Sequence, residues 1–218
     1  MEKPLYPSPY MRITQGYGVG THKNSFAIDD GGSDSGIDFI LAPFTGVIKK
    51  IYPNDANEVW LESVDKVEYP DGTIDYMTML FAHDNDVSNL KVGQVIPRGT
   101  RFYEEGTKGN VTGNHVHMEC GKGKFTGSGW HKNESGYWSI NSPKNPVDCL
   151  WIDDSIKVLN SNGYTFKKIE SIKEETKKEE VTDNQNNTST RKIELVFTCK
   201  ENGLYAIELK ENEKLYIE

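Results

Sequence analysis

Asp75-Tyr76-Met77-Thr78-Met79-Leu80-Phe81-Ala82-His83 is the stretch on which the fold turns. In an extended chain successive side chains alternate, so Met77, Met79, Phe81 and His83 fall on one face and Tyr76, Thr78, Leu80 and Ala82 on the other. Both faces are largely apolar, and residues 75–83 are therefore expected to form a central strand covered on two sides. Working outward, similar short runs occur at 25–29, 46–52, 58–63, 101–104 and 115–119. Turn signals separate them: Gly31-Gly32, Asp71-Gly72, Gly106, Gly109-Asn110 and Gly113-Asn114. No long apolar pattern of helical period appears between residues 11 and 151. The expected fold class is all-β, mainly antiparallel sheet.

Composition narrows the function. Of the 218 residues 27% are charged and 35% hydrophobic, which suits a globular chain able to bury a core without disulfide help. Lys plus Arg number 25 against 33 Asp plus Glu, a net charge of −8 that argues against a nucleic-acid partner. No apolar run reaches the ~18 residues a membrane helix needs, so no membrane insertion is expected. The first residues lack a basic segment followed by an apolar run, so no signal peptide is expected and the chain would stay in the cytoplasm until released. Cys120, Cys149 and Cys199 form no metal or redox pair and are expected as reduced, buried thiols.

Three segments are expected: 1–166 as the main domain, 167–190 as a polar linker, and 191–218 as a small β segment. Residues 156–166 would close the first with a hairpin turned at Asn162-Gly163. Between 167 and 190 only Ile169, Ile172 and Val181 are apolar. The strands expected at 192–199, 204–209 and 214–217 cannot bury a core alone, and a unit so small calls for a partner.

The chemistry gathers on the histidines. His115-Val116-His117-Met118-Glu119 follows the Gly113-Asn114 turn, and strand alternation puts His115, His117 and Glu119 on one face. Paired imidazoles on a strand can converge on one metal, or one can bind while the other works beside it. His22 stands in a loop that leads to Asp29, and His83 ends the central strand, so these too sit at corners where sites are built. Asp30 adjoins Asp29 and reads either as an alternative ligand or as a turn-former ahead of Gly31-Gly32. Glu119 reads as an imidazole-orienting partner or as a rim carboxylate. His131, near Tyr137 and Trp138, reads as part of an aromatic loop bordering a groove or as plain surface.

The order His22…Asp29, Ala42-Pro43-Phe44-Thr45-Gly46-Val47-Ile48, His83, then Gly113-Asn114-His115-Val116-His117-Met118-Glu119 resembles the lysostaphin-like zinc metallopeptidases, as in endolysins of phages of Gram-positive bacteria. The resemblance spans about residues 10–151. It implies a zinc endopeptidase on an antiparallel scaffold that cuts peptide bonds of bacterial peptidoglycan through zinc-activated water, acting on the wall after release from the host cytoplasm. Carried over by position, it implies His22, Asp29 and His117 as Zn²⁺ ligands and His83 and His115 as catalytic, with His115 the general base and His83 at the oxyanion, or the reverse. Asp29 lies seven residues after His22, where four is the family's commoner spacing. A peptidoglycan-binding or structural phage protein without activity is the rival expectation. Residues 191–218 would then serve self-association or cell-wall binding.

Overall fold

The computed structural model describes residues 1–169; most of the expected linker, the three strands expected within 191–218, and Cys199 lie outside the described residues. The strands are β1 (Tyr10–Gln15), β2 (Ile28–Asp30), β3 (Phe39–Leu41), β4 (Gly46–Tyr52), β5 (Glu58–Ser63) and β6 (Val67–Glu68). Next come β7 (Ile74–Asp75), β8 (Met77–Ala82), β9 (Val95–Ile96), β10 (Arg101–Glu104), β11 (Val116–Lys122) and β12 (Trp130–Lys132). The last are β13 (Trp138–Ile140), β14 (Pro143–Lys144), β15 (Trp151–Ile152), β16 (Lys157–Asn160) and β17 (Lys167–Lys168). Among the described residues the only helical turns are the 3-10 turns Gly20–His22 and Pro146–Asp148, so the all-β expectation holds. None of these is long and apolar enough to cross a membrane.

One sheet organises the described residues, in the order β16-β1-β2-β11-β8-β5-β4-β9, with β14 on the same edge of β11 as β2. All its pairings are antiparallel except β1 with β16. β8 lies in the middle and every one of its six residues is buried. Met77, Met79 and Phe81 enter the main core with Val116, Met118 and Cys120 of β11, while Leu80 packs on the other face with Trp60 and Ile140. Burying a side chain the size of Phe81 contributes roughly 1.5–3 kcal/mol, so this two-sided strand anchors the fold.

Alternation alone misplaces His83, which it assigns to the core face beside Phe81. The chain leaves β8 with His83 at φ 91°, a left-handed conformation that turns the ring away from that core. The strain, of order 1–3 kcal/mol, is held by His83 N–H donating to Ala56 O at 2.7 Å and Lys108 N–H donating to His83 O at 3.1 Å. Gly106 permits this path, since a Cβ there would stand 2.1 Å from His83 O.

Other boundaries move for local reasons. Residues 25–27 are spent on a turn, with Ala27 N–H donating to Ser25 Oγ, so β2 begins at Ile28 and includes Asp30. His115 precedes β11 and pairs singly with Gly106. The hairpin expected at 156–166 does not form. Asn162-Gly163 does turn, at φ 52° and 81°, but β16 runs parallel to β1 and β17 parallel to β15. Side-chain burial decides this: Phe166 packs edge-on against Tyr6 and Tyr164 stacks on Tyr17 at 4.8 Å, which carries the chain past the turn. Lys167 and Lys168, read from sequence as the start of the polar segment, thus pair with Trp151 and Ile152. Cys120 and Cys149 are free and buried.

Candidate metal centre

Strand register builds the centre. β2 and β11 are antiparallel with His117 directly opposite Asp29, and facing residues of such a pair lie on one face with Cβ atoms ~4.5–5.5 Å apart. His117 Nδ1 is 3.0 Å from Asp29 Oδ1. His22 comes from the 3-10 turn before β2, buried at 5% exposure, with Nε2 3.3 Å from the same Asp29 oxygen. The seven-residue spacing is spanned by this turn and the 25–27 corner. His22, Asp29 and His117 each present one ligand atom, all within 4.8 Å of one another.

Asp30 points the other way. Its carboxylate is fully buried and accepts from Tyr6 Oη at 2.5 Å, Arg12 N at 2.9 Å and Gly32 N at 2.9 Å. It is a fold-holding group that includes the turn contact to Gly32, and it is not available to the centre.

Anchoring fixes the tautomers. A backbone carbonyl can only accept, so a ring nitrogen against one carries the proton. His22 Nδ1 donates to Gly16 O (3.2 Å), His83 Nδ1 to Lys108 O (2.8 Å) and His115 Nδ1 to Gly113 O (2.9 Å). In each, Nε2 is left as the acceptor. His117 is reversed, offering Nδ1 to Asp29 while Nε2 donates to Glu119 Oε1 at 3.2 Å. Glu119 is buried and accepts at Oε2 from Ser139 Oγ (2.5 Å) and Ile140 N (2.9 Å). The rim alternative for Glu119 is thereby corrected: it braces His117, as its position two residues on along the same face allows. Ser139 was not legible from sequence.

Charge follows geometry. Burial opposes the charged form of Asp29, but the His117 and His22 imidazoles set against its carboxylate hold it well below the usual carboxylate range. Burial likewise opposes a charged His117, yet Asp29 and Glu119 raise it to about 10. Burial, and then the charge of His117, push His83 down to about 4.

His83 and His115 stand beside the three, their rings 4.7 Å apart, with His115 Nε2 3.7 Å from Asp29 Oδ1. All five side chains line one open cavity of about 350 Å³, bordered by Tyr137 and Trp138. His131 is not among them. It is exposed on β12, in the hairpin formed with β13, and lines a neighbouring cavity with Asn24 and Phe26.

No family model matches the chain. "Morphogenesis protein 1" of Bacillus phage B103 is 25% identical over 164 residues, 74% of this chain, which spans 43% of that relative's length. Among solved structures, the catalytic domain of the prophage-encoded M23 protein EnpA from Enterococcus faecalis is 21% identical over 56% of this chain and 88% of its own, at a TM-score of 0.42. The catalytic domain of the antimicrobial peptidase lysostaphin from Staphylococcus simulans is 17% identical over 62% of this chain and 86% of its own, at a TM-score of 0.40.

Proposed function

We propose that this chain is a phage endolysin-type zinc endopeptidase that hydrolyses peptide bonds of Gram-positive bacterial peptidoglycan. One observation carries the reading: the convergence of His22, Asp29 and His117 beside two further histidines in an open cavity. Ligands ~2.0–2.1 Å from a tetrahedral zinc lie ~3.3 Å from one another. The separations of 3.3 Å from His22 Nε2 and 3.0 Å from His117 Nδ1 to Asp29 Oδ1 fit that set, as does the pairing of two imidazoles with one carboxylate. Zinc, when bound, supplies Lewis acidity to the scissile carbonyl and to the attacking water.

The chain's own residues do the rest. Glu119 fixes the His117 ring so that Nδ1 faces the centre. His83 and His115, each anchored through Nδ1–H, offer Nε2 lone pairs into the cavity and so enter the cycle as proton acceptors. One takes the proton of the attacking water and passes it toward the leaving amine. A neutral ring held in this way has to take up a proton before it can steady an oxyanion.

The relative from a Bacillus phage supports a phage setting, in which the enzyme reaches the wall on release from the host cytoplasm. Its name, which refers to morphogenesis, favours a second reading as a structural phage protein without turnover. We assign residues 191–218 to self-association after the 167–190 linker, with wall binding as the alternative. Sedimentation of the full chain against one truncated after Thr190 tests this, and a monomeric full chain overturns it. The main test is zinc content together with clearing of Gram-positive cell-wall suspensions. One zinc per chain with metal-dependent clearing is expected, and metal binding without clearing gives the structural reading.

A further inference from the structure

A second cavity, of about 290 Å³, adjoins the first and shares His83, His117, Glu119 and Trp138 with it. Its outer walls differ in kind. One is aromatic, from Tyr52, Trp130 and Trp138; the other is acidic, from Asp55 and Glu58.

The aromatic wall is a packed unit. Trp130 meets Tyr52 at 5.1 Å, Trp60 at 5.0 Å and Trp138 at 5.5 Å between ring centroids, and Trp138 is 57% exposed. Aromatic faces attract ammonium groups, and this wall already holds one: Lys50 Nζ lies 3.8 Å from the Trp130 centroid and 4.5 Å from that of Trp60. That lysine is committed, donating to Ser128 O at 2.8 Å, and does not line the cavity. Lys132, 5.4 Å from the Trp138 ring, lines the neighbouring cavity instead.

Glu58 is half-buried, and among the described residues it forms no ion pair within 4.0 Å; its Oε2 accepts only from Ala56 N at 3.4 Å. Burial raises its pKa, opposed only in part by backbone hydrogen bonds and the charge of Lys50. Glu119, the third carboxylate here, is already bound to His117. Carboxylates on one side, aromatic rings on the other, with Trp138 exposed, and imidazoles at the floor favour one kind of ligand group.

We propose that this cavity binds a primary ammonium group on the residue next to the scissile bond, between Glu58 and Asp55 on one side and the Trp130–Trp138 wall on the other. The proposal deepens the peptidase reading and rests on it for the word scissile. It makes the ammonium a specificity determinant, drawn either from a side-chain amine of the wall peptide or from a free chain end.

The test uses the full, zinc-loaded chain and soluble peptidoglycan fragments in three forms: untreated, N-acetylated to remove the charge, and reductively dimethylated to keep it. A charged contact of this kind, worth roughly tenfold in kcat/KM, should favour the untreated and dimethylated fragments over the acetylated ones. In Glu58→Gln that ratio should fall to about 1. Synthetic peptides bearing only an ε-amine or only an α-amine separate the two sources. Equal rates on all three forms by the wild-type chain overturn the proposal. If no form is cleaved, titration by tryptophan fluorescence decides: tighter binding of the amine-bearing fragments supports the cavity while the peptidase reading fails, and equal binding overturns both.

Discussion

Asp29 and His117 stand directly opposite one another across β2 and β11, so the register of one strand pair sets the candidate metal centre. A slip of one residue would bring Asp30 to the centre and turn Asp29 toward the core. That slip is opposed by Asp30 itself, whose carboxylate is engaged by Tyr6, Arg12 and Gly32. Asp29→Ala should therefore abolish zinc binding and wall clearing while the chain stays folded. Asp30→Ala should leave the ligands in place but lower stability by roughly 1–3 kcal/mol, the cost of stranding buried donors. Zinc titration and urea denaturation of both variants check this; zinc loss confined to the Asp30 variant would refute the assignment.

Glu119 acts on the centre through His117, and its effect is expected on metal affinity. Removing such a partner usually weakens metal binding ~10–100-fold. Glu119→Gln keeps the shape and can still accept from Ser139 and Ile140, so its zinc dissociation constant should rise within that range with little change in melting temperature. A variant that melts early and binds zinc normally would show a purely structural role.

His83→Ala and His115→Ala should each retain stoichiometric zinc and lose ~10²–10⁴ in turnover, the span of a positioned proton-transfer group. The His83 variant leaves a Cβ at the strained φ of 91°, so its melting temperature, measured beside its turnover, separates a loss of stability from a loss of proton transfer. Near-normal turnover in both would leave the metal site standing and remove the proton-transfer scheme.

The central strand, the edges of β4, β5 and β10, and the shared face of His117 and Glu119 were legible because burial and alternation are local properties of the chain. His83 was misplaced because its facing depends on a backbone conformation that only the Gly106 approach and the Lys108 contacts sustain. The 156–166 segment was misread because its turn is genuine while its strand partners are remote in sequence. The Asp29 and Asp30 alternatives could not be separated without the β11 register. The aromatic wall was half legible: Trp138 stood out beside His131, but Tyr52 is brought to it only by the folded chain.

Glu105 gives a pH signature independent of the metal. It is fully buried; Oε2 accepts from Asp38 N at 3.3 Å and Oε1 has no partner. Burial, helped by the charges of Asp30 and Asp38 and partly opposed by the Asp38 N–H hydrogen bond and by Arg12, raises it from 4.5 to about 8. Between those values the folded chain binds a proton at this site that the unfolded chain does not. Stability from Glu105 is thus fully present below about pH 4.5 and falls as pH rises through about 8. Glu105→Gln keeps the hydrogen bond from Asp38 N and removes the titration. The stability difference between wild type and variant should shift in favour of the variant from pH 5 to pH 9 and then level off. Urea midpoints measured across that range with zinc present read the difference directly, and a difference that stays constant with pH would show that Glu105 is ionised in the folded chain.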